Sequence, residues 1–343
     1  VQGAGRNFGP PATSLFSDGD VAEIDVATVA YANGTTGRTG TTKPLPGLVL
    51  EILRGRDPPD TLIPSRSKKE IMTTTSLEDL SRRLDRELGT DRVARPGDPR
   101  YAGATAVWNA AVTARPALVV RPRTSAEVSV AVIAASETGT GVSVRGGGHD
   151  WVGRALRDGG LVIDLDGMRD VRIEHDTARV GGGSRSADLV AAASGHGLNA
   201  ATGTSGQVGL AGLTLGGGYG PLLGTAGLAT DNLLGAEVVL ADGRIVSTED
   251  DPELLWALQG GGGNFGVVTG LRVQLHPDRG LVGGMVLFAW AEAATVLQRY
   301  AELLADPVDG LTLLVELCVV PDVRPCLLVV PVWSGEPGGA DEA

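Results

Sequence analysis

From residue 117 onward, apolar positions fall into short β-rich runs separated by helical periods and glycine loops. Residues 117–121 (ALVVR) predict a strand, and Thr124-Ser-Ala-Glu127 is a capping box opening an apolar-periodic helix that runs to Gly139. Residues 142–145 (VSVR) predict the next strand, which hands directly into Gly146-Gly147-Gly148-His149-Asp150. Residues 161–165 (LVIDL), two short strands around Val171 and Val180, and a helix from about Ser186 closed by Gly195 follow. Residues 237–241 and 244–247 flank Asp242-Gly243, a preferred signal for a two-residue type I′ hairpin. Asp251-Pro252 caps and opens a helix through Leu258, and residues 267–275 predict a long strand. Beyond Leu281 come a strand at 284–289, a helix near 291–304 and strands at 311–319 and 327–332. The fold class predicted is α+β, because steady βα alternation is absent.

Upstream of this pattern there is a break. All three lysines (Lys43, Lys68 and Lys69) precede Met72, and none follows it. Residues 1–71 are rich in Gly, Thr and Pro with little periodicity, so they are expected to be a non-native or disordered extension. After Met72, Ser76 is a predicted helix cap with Glu78 and Asp79 in the first turn.

Net charge is −12, and no stretch gathers Lys and Arg into a stripe, so neither nucleic acid nor an anionic membrane is an expected partner. No apolar run approaches the roughly 20 residues that span a bilayer, and the start of the chain lacks signal-peptide order; the expected location is cytoplasmic. Cys318 and Cys326 fit neither a zinc knuckle nor a CxxC pair, and read as buried small hydrophobes. His175, His196 and His276 have no metal-site spacing, so no metal is expected. No GxSxG elbow anchors serine hydrolysis. Gly261, Gly263 and Gly266 form a GxGxxG, but after a helix and before a strand, the reverse of a dinucleotide site.

Glycine changes the picture most. There are 51, bunched at 146–148, 181–183, 216–218 and 260–263. Such bunching marks backbone that turns with positive φ or approaches something closely. Gly146, Gly147 and Gly148 let successive N–H groups point into one concavity, an arrangement that binds pyrophosphate without lysine. Arg145 would add positive charge beside it, or be an ordinary strand-end arginine. His149, placed where a strand meets this loop, is the candidate for chemistry.

The segment Arg145-Gly-Gly-Gly-His149-Asp-Trp-Val-Gly153 resembles the flavin-attachment segment of the berberine bridge enzyme-like oxidases, within the vanillyl-alcohol oxidase and p-cresol methylhydroxylase-type superfamily. The resemblance continues through Thr202-Gly-Thr-Ser-Gly-Gln-Val-Gly-Leu-Ala-Gly212, Gly216-Gly-Gly-Tyr-Gly220, Asp231-Asn232, Glu237-Val-Val-Leu-Ala-Asp-Gly243 and Gly261-Gly-Gly-Asn-Phe-Gly-Val-Val-Thr269. It implies FAD bonded through its 8α carbon to His149, with Arg145, Gly146, Gly147, Gly148, Asp150 and Gly153 around the attachment and diphosphate. Thr204, Ser205, Val208, Gly209 and Gly212 would lie along the flavin, with Gly216, Gly217, Gly218, Tyr219 and Gly220 packing close behind; Tyr219 reads as core rather than catalytic. Asn232 would belong to the same site, and Val238 would meet the adenine through its backbone. Some members attach the flavin a second time through cysteine. The matching position here is Ser205, no comparable nucleophile, so a single link is expected.

The resemblance further implies a p-cresol methylhydroxylase-type FAD-binding domain of two α+β subdomains at 72–280 and an incomplete antiparallel-sheet substrate domain at 281–343. The expected activity is oxidation of a hydroxyl- or amine-bearing carbon in a sugar, alkaloid-like or secondary-metabolite substrate, with O2 giving H2O2. The alternatives are a truncated flavin-binding fragment without turnover and a flavin dehydrogenase that does not use O2. The catalytic base is expected in a missing C-terminal part, and residues 327–332 are expected to leave an unpaired, aggregation-prone edge.

Overall fold

A computed structural model describes residues 74–319 and 325–335, so the reading of residues 1–71 lies outside the described residues. The chain divides into two compact units. The larger contains described residues 74–283, 307–312 and 331–335; the smaller contains 284–306, 313–319 and 325–330.

In the larger unit, α1 (Thr74–Leu88) begins ahead of Ser76, which therefore lies in its first turn and not at the predicted cap. Its inward leucines, Leu80 and Leu84, are fully buried. A four-stranded sheet follows in the order β1 (Val93–Ala94), β2 (Leu118–Val120), β4 (Leu161–Asp164), β3 (Val142–Arg145). Between β1 and β2 lies the short helix α2 (Pro99–Thr105), capped by Asp98. Helix α3 (Ser125–Glu137) joins β2 to β3, and β4 inserts between them in parallel register with both. Leu161 and Ile163 of β4 pack with Val128, Ala131 and Ala135 of α3. Burial of each such large side chain is worth about 1.5–3 kcal/mol. The capping box at α3 forms in part as predicted: the Thr124 hydroxyl accepts from Glu127 N at 3.2 Å, while the Glu127 carboxylate reaches Arg123 N at 2.6 Å.

A second, antiparallel sheet runs β5 (Val171–Glu174), β6 (Thr177–Gly181), β10 (Val267–Pro277), β8 (Leu233–Val239), β9 (Ile245–Ser247), and β7 (Leu198–Ala200) also pairs with β10. Its apolar face packs with Leu189 of α4 (Ser186–Ser194), Leu210 and Leu215 of α5 (Leu210–Leu215), and Leu258 of α7 (Pro252–Gly261). A four-residue helix, α6 (Leu223–Ala226), lies between α5 and β8. Asp251 caps α7 through Leu254 N, and regular helix geometry ends at Leu258 because Gln259 and Gly260 leave it.

The hairpin between β8 and β9 differs from the expectation. Gly243 N donates to Leu240 O and Leu240 N to Arg244 O, and Gly243 alone has positive φ in the turn. That is a three-residue loop, a type I turn completed by a left-handed glycine, the next commonest hairpin connection and one that needs positive φ at a single residue.

In the smaller unit, β12 (Val286–Ala289) pairs with the first half of β14 (Cys326–Ser334), and β13 (Leu311–Cys318) also pairs with β14. In the larger unit, β11 (Leu281–Gly283) pairs with the last residues of β14. Strand β14 is thus an inner strand, which corrects the expectation that residues 327–332 form an unpaired edge. Its apolar run is the cue: Leu327 and Leu328 are at most 3% exposed, as an inner strand requires. Cys318 and Cys326 are buried and free; burial pushes the Cys318 thiol up, and the neighbouring Cys326 adds to it. Helix α8 (Ala293–Ala305) buries only Ala293 among its residues.

Candidate functional site

Strands β3 and β4 are parallel, so their C-terminal ends, Arg145 and Asp164, lie side by side in register. The glycine loop leaves from that edge. Arg145 is no surface residue: it is 7% exposed, donates to Asp164 Oδ1 at 2.9 Å, and reaches Ala106 O at 3.1 Å. Arg121 pairs with the other carboxylate oxygen of Asp164, which is fully buried. Arg145 is therefore anchored within the fold, sharing one carboxylate with Arg121, and it fixes where the loop starts.

Gly146, Gly147 and Gly148 then cross the loop at 206–209. A Cβ on Gly147 would lie 2.8 Å from Gly209 Cα and closer still to Gly209 N, and a Cβ on Gly209 would meet Gly147 in the same way. The two loops thus touch backbone to backbone at Gly147 and Gly209, two residues before His149. Gly148, at φ 73°, is buried, and turns the chain so that His149 is half-buried. The imidazole Nδ1 lies 3.1 Å from Gly147 O. Asp150 turns back to Arg154, accepting its backbone N–H at 2.7 Å and its guanidinium at 2.9 Å. Gly153 has φ 76°, and a Cβ there would strike the Val112 side chain.

Thr204 and Ser205 are exposed and Val208 half-buried, with Val208 O accepting from Ser186 N at the start of α4. Gly212 and Gly217 face open space: a Cβ on either would meet nothing within 4 Å. Packing within the protein does not account for Gly212, which is exposed, whereas Gly217 has φ 113°, a backbone conformation that itself calls for glycine. Gly216 ends α5 and is exposed, while Gly218 and Gly220 pack tightly on Leu213, Ala229 and Thr202 O. Tyr219, held between those two packed glycines, is 39% exposed, so it is not a core residue.

Asn232 and Val238, carried over by resemblance, are both held within the fold. Asn232 is buried; its amide nitrogen donates to Ala226 O and Leu228 O, both at 2.8 Å, and its Oδ1 faces His276 Nε2 at 2.6 Å. With both amide hydrogens and its oxygen engaged, it fixes the 226–232 turn. Burial holds the His276 imidazole below its ordinary pKa. Val238 is fully buried in β8, registered with Val268 on one side and Val246 on the other.

The sequence reading missed Trp108, which stacks on His149 (centroids 6.2 Å, interplanar 19°), and Asp164, the charge partner of Arg145. An aspartate closing an otherwise apolar strand was the available signal for Asp164; a lone Trp in a turn-rich stretch gave none for Trp108.

Residues 116–249 match the FAD binding domain family. The (R)-6-hydroxynicotine oxidase of Paenarthrobacter nicotinovorans is 41% identical over 224 residues, covering 64% of this chain and 48% of that protein. Among solved structures, 6-hydroxy-D-nicotine oxidase from Arthrobacter nicotinovorans superposes with TM-score 0.68 at 36% identity, over 73% of this chain and 57% of the other. A berberine bridge enzyme-like protein of Physcomitrella patens gives TM-score 0.67 at 28% identity, over 76% of this chain and 57% of the other. The chain spans about half the length of the curated relatives it matches. The fold is α+β, of the p-cresol methylhydroxylase-type FAD-binding kind.

Proposed function

With an FAD binding domain at residues 116–249 and FAD-linked oxidoreductases as its homologues, we propose that this chain holds FAD, through a single covalent bond to His149, for an oxidase acting on a hydroxyl- or amine-bearing carbon. The observation that carries the reading is the crossing of the Gly146-Gly147 and 207–209 backbones just before His149, with Gly212 exposed and a Cβ there meeting nothing within 4 Å.

The residues present fit that cofactor. The glycine loop offers backbone N–H groups to a diphosphate where Lys is absent, and Arg145, which shares the Asp164 carboxylate with Arg121, leaves the pair of arginines with a net positive charge at the start of that loop. Thr204, Ser205, Val208, Gly209 and Gly212 would line the flavin. Gly147 O can only accept, so the contact with Nδ1 places a proton on Nδ1 and directs Nε2, the other ring nitrogen, away from it. Ser205 stands where a second, cysteinyl link would need a thiol. When bound, the flavin supplies hydride acceptance at N5 and passes electrons to O2, giving H2O2; the protein supplies binding and orientation. A small sugar, alkaloid-like or secondary-metabolite substrate fits this chemistry.

The test is substrate reduction followed by air reoxidation of the purified, flavin-loaded chain. H2O2 released in step with oxidised sugar or amine supports the oxidase. Substrate reduction followed by slow reoxidation in air would replace it with a dehydrogenase.

A further inference from the structure

Residues 106–112 form no regular element, yet they grip the histidine loop at four places. Ala106 O accepts from Arg145, and Val112 packs where a Gly153 Cβ would stand. Between those outer contacts, Trp108 N donates to Gly148 O at 2.9 Å and Asn109 Nδ2 donates to Trp151 O at 2.6 Å. The inner pair brackets His149, one residue before it and two after. Asn109 is itself fixed, because its Oδ1 accepts from Ala111 N at 3.0 Å. The Trp108 ring stacks on the imidazole and contacts Trp151 at 6.1 Å, although it is 51% exposed.

An exposed tryptophan contributes little to a core, so burial does not explain its position. We propose that Trp108 and Asn109 are positioning residues for His149: Trp108 sets the plane of the imidazole and the two hydrogen bonds set the height of residues 148–151, holding one ring nitrogen in line for flavin attachment. This rests on the reading of His149 as the attachment residue. Attachment forms an N–C bond from the imidazole to the 8α carbon and breaks one C–H bond there. The proton goes to water, and the electron pair passes into the flavin ring and then to O2 as H2O2. No general base is required of the clamp. Its contribution is orientation, the part of a barrier that a nearby rigid surface removes.

The experiment incubates flavin-free full-length chain with FAD in air and follows two quantities, total bound flavin and the fraction that survives acid precipitation. Trp108→Ala and Asn109→Ala are compared with wild type and with Trp108→Phe. The expected result is similar total flavin in all four, with attachment slowed about two- to tenfold in the two alanine variants and retained by Phe, in keeping with the worth of one ring stack. Attachment in Trp108→Ala at the wild-type rate would overturn the proposal, as would loss of total flavin from that variant with no change in the acid-stable fraction.

A flavin-free arm separates this from the attachment reading. Replacing the imidazole removes the ring that Trp108 stacks on, so His149→Gln should change the tryptophan emission of the flavin-free chain at fixed pH and should change nothing in a Trp108→Phe background. That coupled change with no acid-stable flavin in wild type keeps the stacking contact and defeats attachment. No emission change on His149→Gln when Trp108 is present defeats the clamp.

Discussion

Alanine at Gly147 and alanine at Gly212 should fail in opposite ways, because one glycine faces protein and the other faces open space. At Gly147 the new methyl would sit 2.8 Å from Gly209 Cα, closer to Gly209 N, and 3.0 Å from Gln207 O. All three neighbours are backbone, so no side chain can swing aside. The two loops must separate, and overpacking of this kind costs about 1–3 kcal/mol. Gly147→Ala should therefore lower the midpoint of thermal unfolding of the flavin-free chain by roughly 2–10 °C. At Gly212 a Cβ meets nothing within 4 Å, and the residue lies inside helix α5. There alanine should leave flavin-free stability unchanged or raise it by up to about 1 kcal/mol, yet weaken FAD binding, since the methyl enters the space assigned to the flavin. Gly103→Ala, in helix α2 with nothing nearby, is the control for the helical gain alone. Scanning fluorimetry without flavin and FAD titration by fluorescence quenching give both numbers. Unchanged stability in Gly147→Ala, or wild-type FAD affinity in Gly212→Ala, would refute the assignment of which glycine packs on protein and which on ligand.

Three further outcomes follow from the same contacts. Asp164→Asn leaves the buried Arg145 guanidinium without its carboxylate and should cost about 3–5 kcal/mol in urea unfolding, whereas Arg121→Met, removing the half-exposed partner, should cost about 1 kcal/mol or less; equal effects would contradict the burial difference. His175 turns the β5–β6 hairpin at φ 59°, so His175→Gly should raise stability by up to about 1 kcal/mol, and a loss would count against the left-handed turn. Burial lowers the His276 pKa, so the unfolded chain binds the extra proton first: stability from this group is fully present above its ordinary value of 6.5 and is lost as pH falls through the lower folded value. His276→Gln should flatten that acid-side decline in denaturant titrations between about pH 5 and 7, and an unchanged slope would remove His276 as its cause.

Much of this was legible in the sequence where the signal was local. The strand entering Gly146 to His149, the Thr124 cap, the Asp251-Pro252 helix start and the halt of that helix after Leu258 all depend on neighbours within one turn of chain. What was illegible depended on partners far away in sequence. Strand β14 is an inner strand because β11, β12 and β13 all pair with it, and its apolar run, though it fits an inner strand, does not say which distant segments are its partners. Arg145 reads as a strand-end cation until Asp164 is placed beside it, and the hydrogen bonds of Asn232 to Ala226, Leu228 and His276 join positions that no local pattern connects. The hairpin at Asp242-Gly243 was located correctly but given the wrong loop length, since a dipeptide alone does not fix where pairing resumes.

The central claim is a flavin bonded to His149. Denaturing gel electrophoresis under ultraviolet light after acid treatment, with the His149 tryptic peptide weighed by mass spectrometry, tests it most directly. The account predicts yellow fluorescence on the wild-type band, none on His149→Ala, and a peptide heavier by one flavin adduct at that residue. Fluorescence that persists in His149→Ala, or a wild-type chain that releases all its flavin into acid, would contradict it.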